Sequence, residues 1–260
     1  MDFTLSEEQQ ALVNVTRQFA QKELADYADK IEKTGLPAPG ILLQRYAEMG
    51  FLGVNLPAHY GGGGMSHLDA VLVLEELAKV SVAAAFPVFE SCFGPALAIA
   101  HYGPEQMRSS VLPDVCSGNM IVAVSMSEPQ AGTALTDLKT ELVPNGKSFV
   151  LRGTKRWCSG AGHADAYVVY CRMSDAPGAK GIGAVLVHDG VEGFTFGAPE
   201  EHMGFRGIPS ADMYFDDVNV SADQIIVPAG GFKQLMEAFD LERCGNCLLY
   251  TSDAADDLRC

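Results

Sequence analysis

Three short segments carry residue types that could handle a ligand. Met126-Ser127-Glu128-Pro129-Gln130-Ala131-Gly132-Thr133 follows an apolar strand with small residues, hydroxyls and a tight turn. Such a composition leaves backbone N–H groups open to the edge of a ligand, although an ordinary polar loop shares it. Lys155-Arg156-Trp157-Cys158-Ser159-Gly160 places the only tryptophan at a strand end, beside a hydroxyl and a glycine. A lone tryptophan often fills a core, and an aromatic wall next to a donor is also what a planar cofactor needs. Asp240-Leu241-Glu242-Arg243 sets three charges into an otherwise apolar helical register. A solvated helix face is the plain reading, and a working carboxylate is the other.

Other reactive residues are arranged less suggestively. His59, His67, His101, His163, His188 and His202 show no H-x-x-x-H or H-E-x-x-H spacing, so no metal site is expected. Cys244-Gly245-Asn246-Cys247 is a C-x-x-C in helical register without a second pair, which reads as two neighbouring helix cysteines. Gly178-Ala179-Lys180-Gly181-Ile182-Gly183 joins two strands instead of a strand and a helix, and so reads as a hairpin loop and not a phosphate cradle.

The composition is that of a folded chain. Of 260 residues, 48% are hydrophobic and 20% charged, which excludes a disordered or collagen-like polymer. A net charge of -15 with no local basic patch argues against nucleic acid. Seven scattered cysteines and an opening MDFTLSEEQQ suggest a reduced, cytoplasmic protein. The weakly polar stretch 82–100 contains Pro87, Glu90 and Pro95, so no membrane span is expected.

The elements that must position these segments fall into two textures. Up to about residue 118 the pattern is helical. Ser6-Glu7-Glu8-Gln9 forms a capping box ahead of a stripe through Leu12, Val13, Val15, Phe19 and Leu24. A second helix runs from about Pro39 through Ile41, Leu42, Leu43, Tyr46 and Met49 to a stop at Gly50. Ser66 caps a third, carrying Leu68, Val71, Leu72, Leu74 and Leu77, and further pieces occupy about 82–101 and 104–117. Near residue 119 the period changes from 3.6 to 2, and short apolar runs separated by turns continue to about Pro228. The helical pattern then returns. This predicts an α+β protein with an all-α domain over 1–118, an antiparallel, barrel-like β domain over 119–228, and the start of a helical domain over 229–260. The tail from about 248 is atypical, with no stripe to pack.

Taken together and in order, the three segments resemble the acyl-CoA dehydrogenase family, over nearly the whole chain up to about Gly245. Ser127-Glu128-Pro129-Gln130-Ala131-Gly132-Thr133 is similar to its T-E-P-x-A-G-S flavin loop, and Trp157-Cys158-Ser159 to its W-I-T flavin-facing strand. Met203-Gly204-Phe205-Arg206-Gly207 and Phe215-Asp216-Asp217-Val218 resemble its M-G-x-R-G and F-x-D-V stretches. The resemblance implies FAD held between the β domain and the last helices, contacted by Val124, Ser125, Met126, Ser127, Gly132, Thr133, Trp157, Cys158 and Ser159. It implies α,β-dehydrogenation of an acyl-CoA to a 2-enoyl-CoA, electron-transfer flavoprotein as acceptor, and a homo-oligomer in the complete protein. Glu242 is then the candidate base, as in an isovaleryl-type subgroup, with Thr133, Asp240 and Arg243 on the acyl-CoA; most members carry the base in a C-terminal domain instead. Two alternatives stay open: an acyl-CoA oxidase or flavin monooxygenase on the same scaffold, or a truncated, inactive subunit that binds acyl-CoA or FAD.

Overall fold

Ser6 opens the first helix as its spacing predicts: its Oγ accepts from Gln9 N at 3.1 Å, and Gln9 Oε1 accepts from Ser6 N at 3.2 Å. In the computed structural model, which describes residues 4–256, helix α1 (Glu7–Phe19) passes through a π-helical turn at Ala20–Leu24 into α2 (Ala25–Thr34). Then come α3 (Gly40–Glu48), α4 (His67–Ala78), α5 (Val82–Cys92), α6 (Pro95–Tyr102) and α7 (Glu105–Cys116). Gly50 ends the α3 segment at φ 73°, in the left-handed region that glycine tolerates. The apolar stripes are narrower than the sequence suggests. Val15, Ile41 and Leu68 are exposed, while Thr16 is buried beside Val13 and Phe19 and satisfies its hydroxyl on Leu12 O at 2.8 Å.

Residues 82–102 form a bent pair, α5 and α6, interrupted at Phe93 and Gly94. The segment Val82–Tyr102 has a mean hydropathy of 1.6, enough by length and composition to cross a membrane despite its prolines and Glu90. Here 83% of that window is buried inside the protein, so it packs as core.

The helix-to-strand change falls between α7 and β1 (Val122–Ser125). The remaining strands are β2 (Glu141–Asn145), β3 (Ser148–Ser159), β4 (Ala166–Arg172), β5 (Ile182–His188), β6 (Phe194–Phe196), β7 (Ser210–Val220) and β8 (Ile225–Val227). They form one sheet in the order β6-β7-β3-β2-β4-β5-β8, with β1 added on β4. The sheet does not close, and although most pairs are antiparallel, β1·β4 and β2·β4 are parallel. The loop Gly178–Gly181 joins β4 to β5 as a hairpin connection.

Both faces of β4 are covered, which explains its unbroken apolar sequence. Ala166, Val168 and Tyr170 pack with α6 and α7 residues such as Leu97 and Leu112. Tyr167, Val169 and Cys171 face a separate cluster with Leu151, Met213 and Phe215. A third core lies among α1 to α5, around Phe19, Tyr46, Phe51, Leu74, Leu77 and Phe89.

Helix α8 (Phe232–Asp256) corrects the expectation for the tail. It continues beyond residue 248, burying Leu249 and packing Leu248 against the helical core, while Leu235 near its start joins the core shared with the sheet. Two leucines at the right height are enough to extend a helix whose last residues have little stripe of their own. The end of the tail, 257–260, lies outside the described residues.

Candidate active site

Strand β3 is built to turn a large aromatic ring outward. Its pairing with β7 shifts register between Lys155 and Cys158, and Trp157 in that bulge has φ 55°. A bulge re-aims one side chain while its neighbours keep their faces. Lys155 and Cys158 accordingly point inside, and Trp157 is 62% exposed with the Arg156 guanidinium 5.0 Å from its ring centre.

The turn after β1 is tied to this bulge. Arg156 N donates to Ser127 O at 2.8 Å, and Cys158 Sγ donates to Val124 O at 3.2 Å. Burial pushes the Cys158 thiol up to about 12, so it stays neutral. Glu128 and Ala131 close the turn with reciprocal backbone bonds of 2.8 and 3.1 Å.

Across from this edge, α5 and α8 supply the opposite wall. Val124, Met126, Ser127, Arg156, Trp157, Cys158 and Ser159 line a cavity of about 190 Å³ together with Phe86, Phe89, Glu90, Phe205, Glu242 and Asn246. Close approach of the two helices depends on Gly245, where an added Cβ would lie 2.9 Å from the Phe89 ring and 3.0 Å from Phe93. Cys244 and Cys247 of the C-x-x-C are exposed on either side of it. The motif's consequence is thus a tight helix contact.

Glu242 is crowded by the cavity wall. Burial raises its carboxyl to about 7, with Arg243 pulling the other way. Glu90 is 7% exposed, and burial, reinforced by Glu242, raises it well above the carboxylate range. The two line the same cavity, and burial raises both.

The other residues singled out from the sequence lie outside the cavity lining. Ser125 is buried, with its hydroxyl on Met213 Sδ at 3.3 Å. Gly132 and Thr133 are exposed on the loop, and a Cβ on Gly132 would meet nothing of the chain within 4 Å. Asp240 and Arg243 are exposed on α8, the Arg243 guanidinium 5.9 Å from the Phe239 ring centre. Sequence reasoning missed Glu90, Phe86, Phe89, Arg156 and Asn246 as lining groups. For Glu90 a signal existed: it is a lone acid in an apolar run.

An exposed indole, a row of backbone and hydroxyl groups and a carboxylate opposite suit a flat heteroaromatic ring and a small substrate beside it. Arg156 Nε is buried without a hydrogen bond and faces Asp212 Oδ1 in a long ion pair at 3.7 Å, at the edge of the cavity.

Comparison with known proteins points the same way. Residues 6–119 match the acyl-CoA dehydrogenase N-terminal domain, and residues 123–218 the acyl-CoA dehydrogenase middle domain. Acryloyl-CoA reductase (NADH) of Anaerotignum propionicum is 34% identical over 248 residues, which cover 94% of this chain and 62% of that protein. The butyryl-CoA dehydrogenase of Megasphaera elsdenii superposes with a TM-score of 0.90 at 28% identity, over 97% of this chain and 67% of that one. A glutaryl-CoA dehydrogenase in complex with glutaryl-CoA gives 0.92 at 26%, over 97% and 65%. The chain therefore spans about two thirds or less of the length of the relatives it matches. Motif order, sheet and helix arrangement and both domain matches agree, and the chain belongs to the acyl-CoA dehydrogenase family.

Proposed function

We propose that this chain holds FAD and serves the α,β-dehydrogenation of an acyl-CoA thioester, with Glu242 as the base that takes the α proton. The observation that carries this is the single cavity in which Glu242 faces Trp157, Ser127 and Ser159. The residues fit the cofactor. Trp157 offers an indole that is 62% exposed, Arg156 brings a cation to the cavity wall with no hydrogen bond on its Nε, and the open space before Gly132 lets a ligand approach its backbone. FAD, when bound, supplies an acceptor for the β hydride.

The remaining work belongs to the chain. The Ser127 and Ser159 hydroxyls and the nearby backbone would orient the ring edge. Phe86, Phe89 and Phe205 line the cavity with apolar surface and exclude water from the reacting carbons. Glu242, with its carboxyl near 7, is ionised often enough at neutral pH to accept a proton and basic enough to hold it. Loss of that proton and of a β hydride gives a 2-enoyl-CoA, and an electron-transfer flavoprotein is the proposed electron acceptor. The relatives named for acryloyl-, butyryl- and glutaryl-CoA support a CoA thioester as substrate.

The test is reconstitution of the full chain with FAD, followed by titration with acyl-CoA. Bleaching of the visible flavin absorbance together with formation of enoyl-CoA supports the reading, whereas failure to take up flavin refutes it.

A further inference from the structure

Glu90 lines the cavity, yet the proposed reaction gives it no task. Among the described residues it makes neither a hydrogen bond nor an ion pair. The fold treats its other buried acids differently. Glu76 is bound by Arg17 and Lys79, each at 2.8 Å, Asp69 by Ser66 and Gln9, and Glu128 by Lys155. An unpaired acid in an apolar wall is costly, and a leucine there would line a pocket for a plain alkyl chain more cheaply.

Arg156 lines the same cavity as a cation, but its guanidinium lies over Trp157 and 3.7 Å from Asp212 Oδ1, and it makes no ion pair with Glu90. Glu242 faces it from α8, and Arg243 on that helix is exposed and turned toward Phe239. From β3, Cys158 is a neutral thiol and Lys155 is taken by Glu128. His163, which lines a smaller adjoining cavity with Glu90, is kept toward its neutral form by burial, against the pull of Asp165. A carboxyl held protonated in these surroundings both donates and accepts.

We propose that Glu90 is a specificity-determining residue, whose carboxyl receives a hydrogen-bond-donating substituent, a hydroxyl or an amine, on the acyl chain. This rests on reading the cavity as an acyl-thioester site. A plain alkyl chain would leave Glu90 unpaired against methylenes, while a hydroxyl pairs with it as a neutral acid. An ammonium would draw it into its ionised form.

The test uses the full chain loaded with FAD and a set of unreactive CoA thioethers four to six carbons long, ending in methyl, hydroxyl or ammonium at matched length. Calorimetric titration should give about ten- to a hundredfold tighter binding for a polar-ended probe than for its methyl-ended match. Glu90→Leu should reverse that order. Glu90→Gln separates the two sources, keeping a preference for hydroxyl and losing one for ammonium. If methyl-ended probes bind as well as polar ones, or if the polar preference survives Glu90→Leu, the inference is overturned while the acyl-thioester site stands. If no thioether binds at any length, the reading of the cavity falls and takes the inference with it.

Discussion

Lys155 Nζ lies 2.8 Å from Glu128 Oε1, with both side chains essentially without exposed surface. This pair links the strand that presents Trp157 to the turn that presents Ser127. Lys155 also donates to Met126 O at 2.9 Å, and the Glu128 carboxylate accepts from the backbone N–H groups of Lys139 and Thr140 at 2.7 and 3.0 Å. A buried ion pair with its remaining bonds filled fixes geometry more than it adds stability, but breaking one side strands the other. Lys155→Met should therefore cost about 3–5 kcal/mol in urea unfolding, and adding Glu128→Gln to it should restore a large part of the loss.

The same pair makes a prediction about acid. Burial pushes the Glu128 carboxyl up, but the Lys155 ammonium and the hydrogen bonds around it outweigh that and hold it below the usual range. Its stabilisation is complete above the unfolded value of about 4.3 and is lost as pH falls through the folded value. Unfolding free energy measured from neutral pH downward should fall in that acidic window, and Glu128→Gln in the Lys155→Met background should flatten this part of the profile.

Glu242→Gln removes the proposed base and should lower kcat by about 10²- to 10⁴-fold while leaving FAD uptake intact. In the unsubstituted chain kcat/KM should rise with pH through about 7 and then level, because the base acts in its ionised form. Its raised folded value has the opposite sign for stability, which this one group should reduce as pH climbs from about 4.3 towards about 7. A rate independent of pH across that range would remove Glu242 from the chemistry.

The role proposed for Trp157 lies in ligand binding and not in folding. With most of its surface in solvent, Trp157→Ala should change unfolding free energy by less than about 1 kcal/mol. Loss of the flat wall should weaken FAD binding by more than about tenfold, read by fluorescence titration. A large stability loss with unchanged flavin affinity would contradict the assigned role.

Gly245→Ala sets two effects against each other. Alanine is favoured over glycine in a helix by about 1 kcal/mol, but its Cβ would press on Phe89 and Phe93. Overpacking of this kind costs about 1–3 kcal/mol, so the variant should be no more stable than the parent despite its better propensity. Because Phe89 lines the cavity, acyl-CoA affinity should fall as well.

Much of this architecture was legible because local chemistry and tertiary context agree. The Ser6 and Ser66 caps, the stop at Gly50 and the period change before β1 are short-range signals, and each is realised. Strands β6 and β8, three residues each, are too short to show a period and owe their pairing to β7 and β5. The outward turn of Trp157 depends on a register shift against β7, which no run of residues in β3 announces. Glu90 and Glu242 become partners only when α5 and α8 pack across Gly245, so the sequence displays each acid without its counterpart. The end of α8 shows the same dependence, since Leu248 and Leu249 acquire meaning only from the helices they touch.

Helix α8 enters one apolar cluster near Leu235 and another at Leu249, with Glu242 between them. Held at both ends, the helix has little freedom to slide along its axis. Loosening either anchor should therefore displace the acid from the indole and weaken ligand binding, even where the substituted leucine lies outside the cavity.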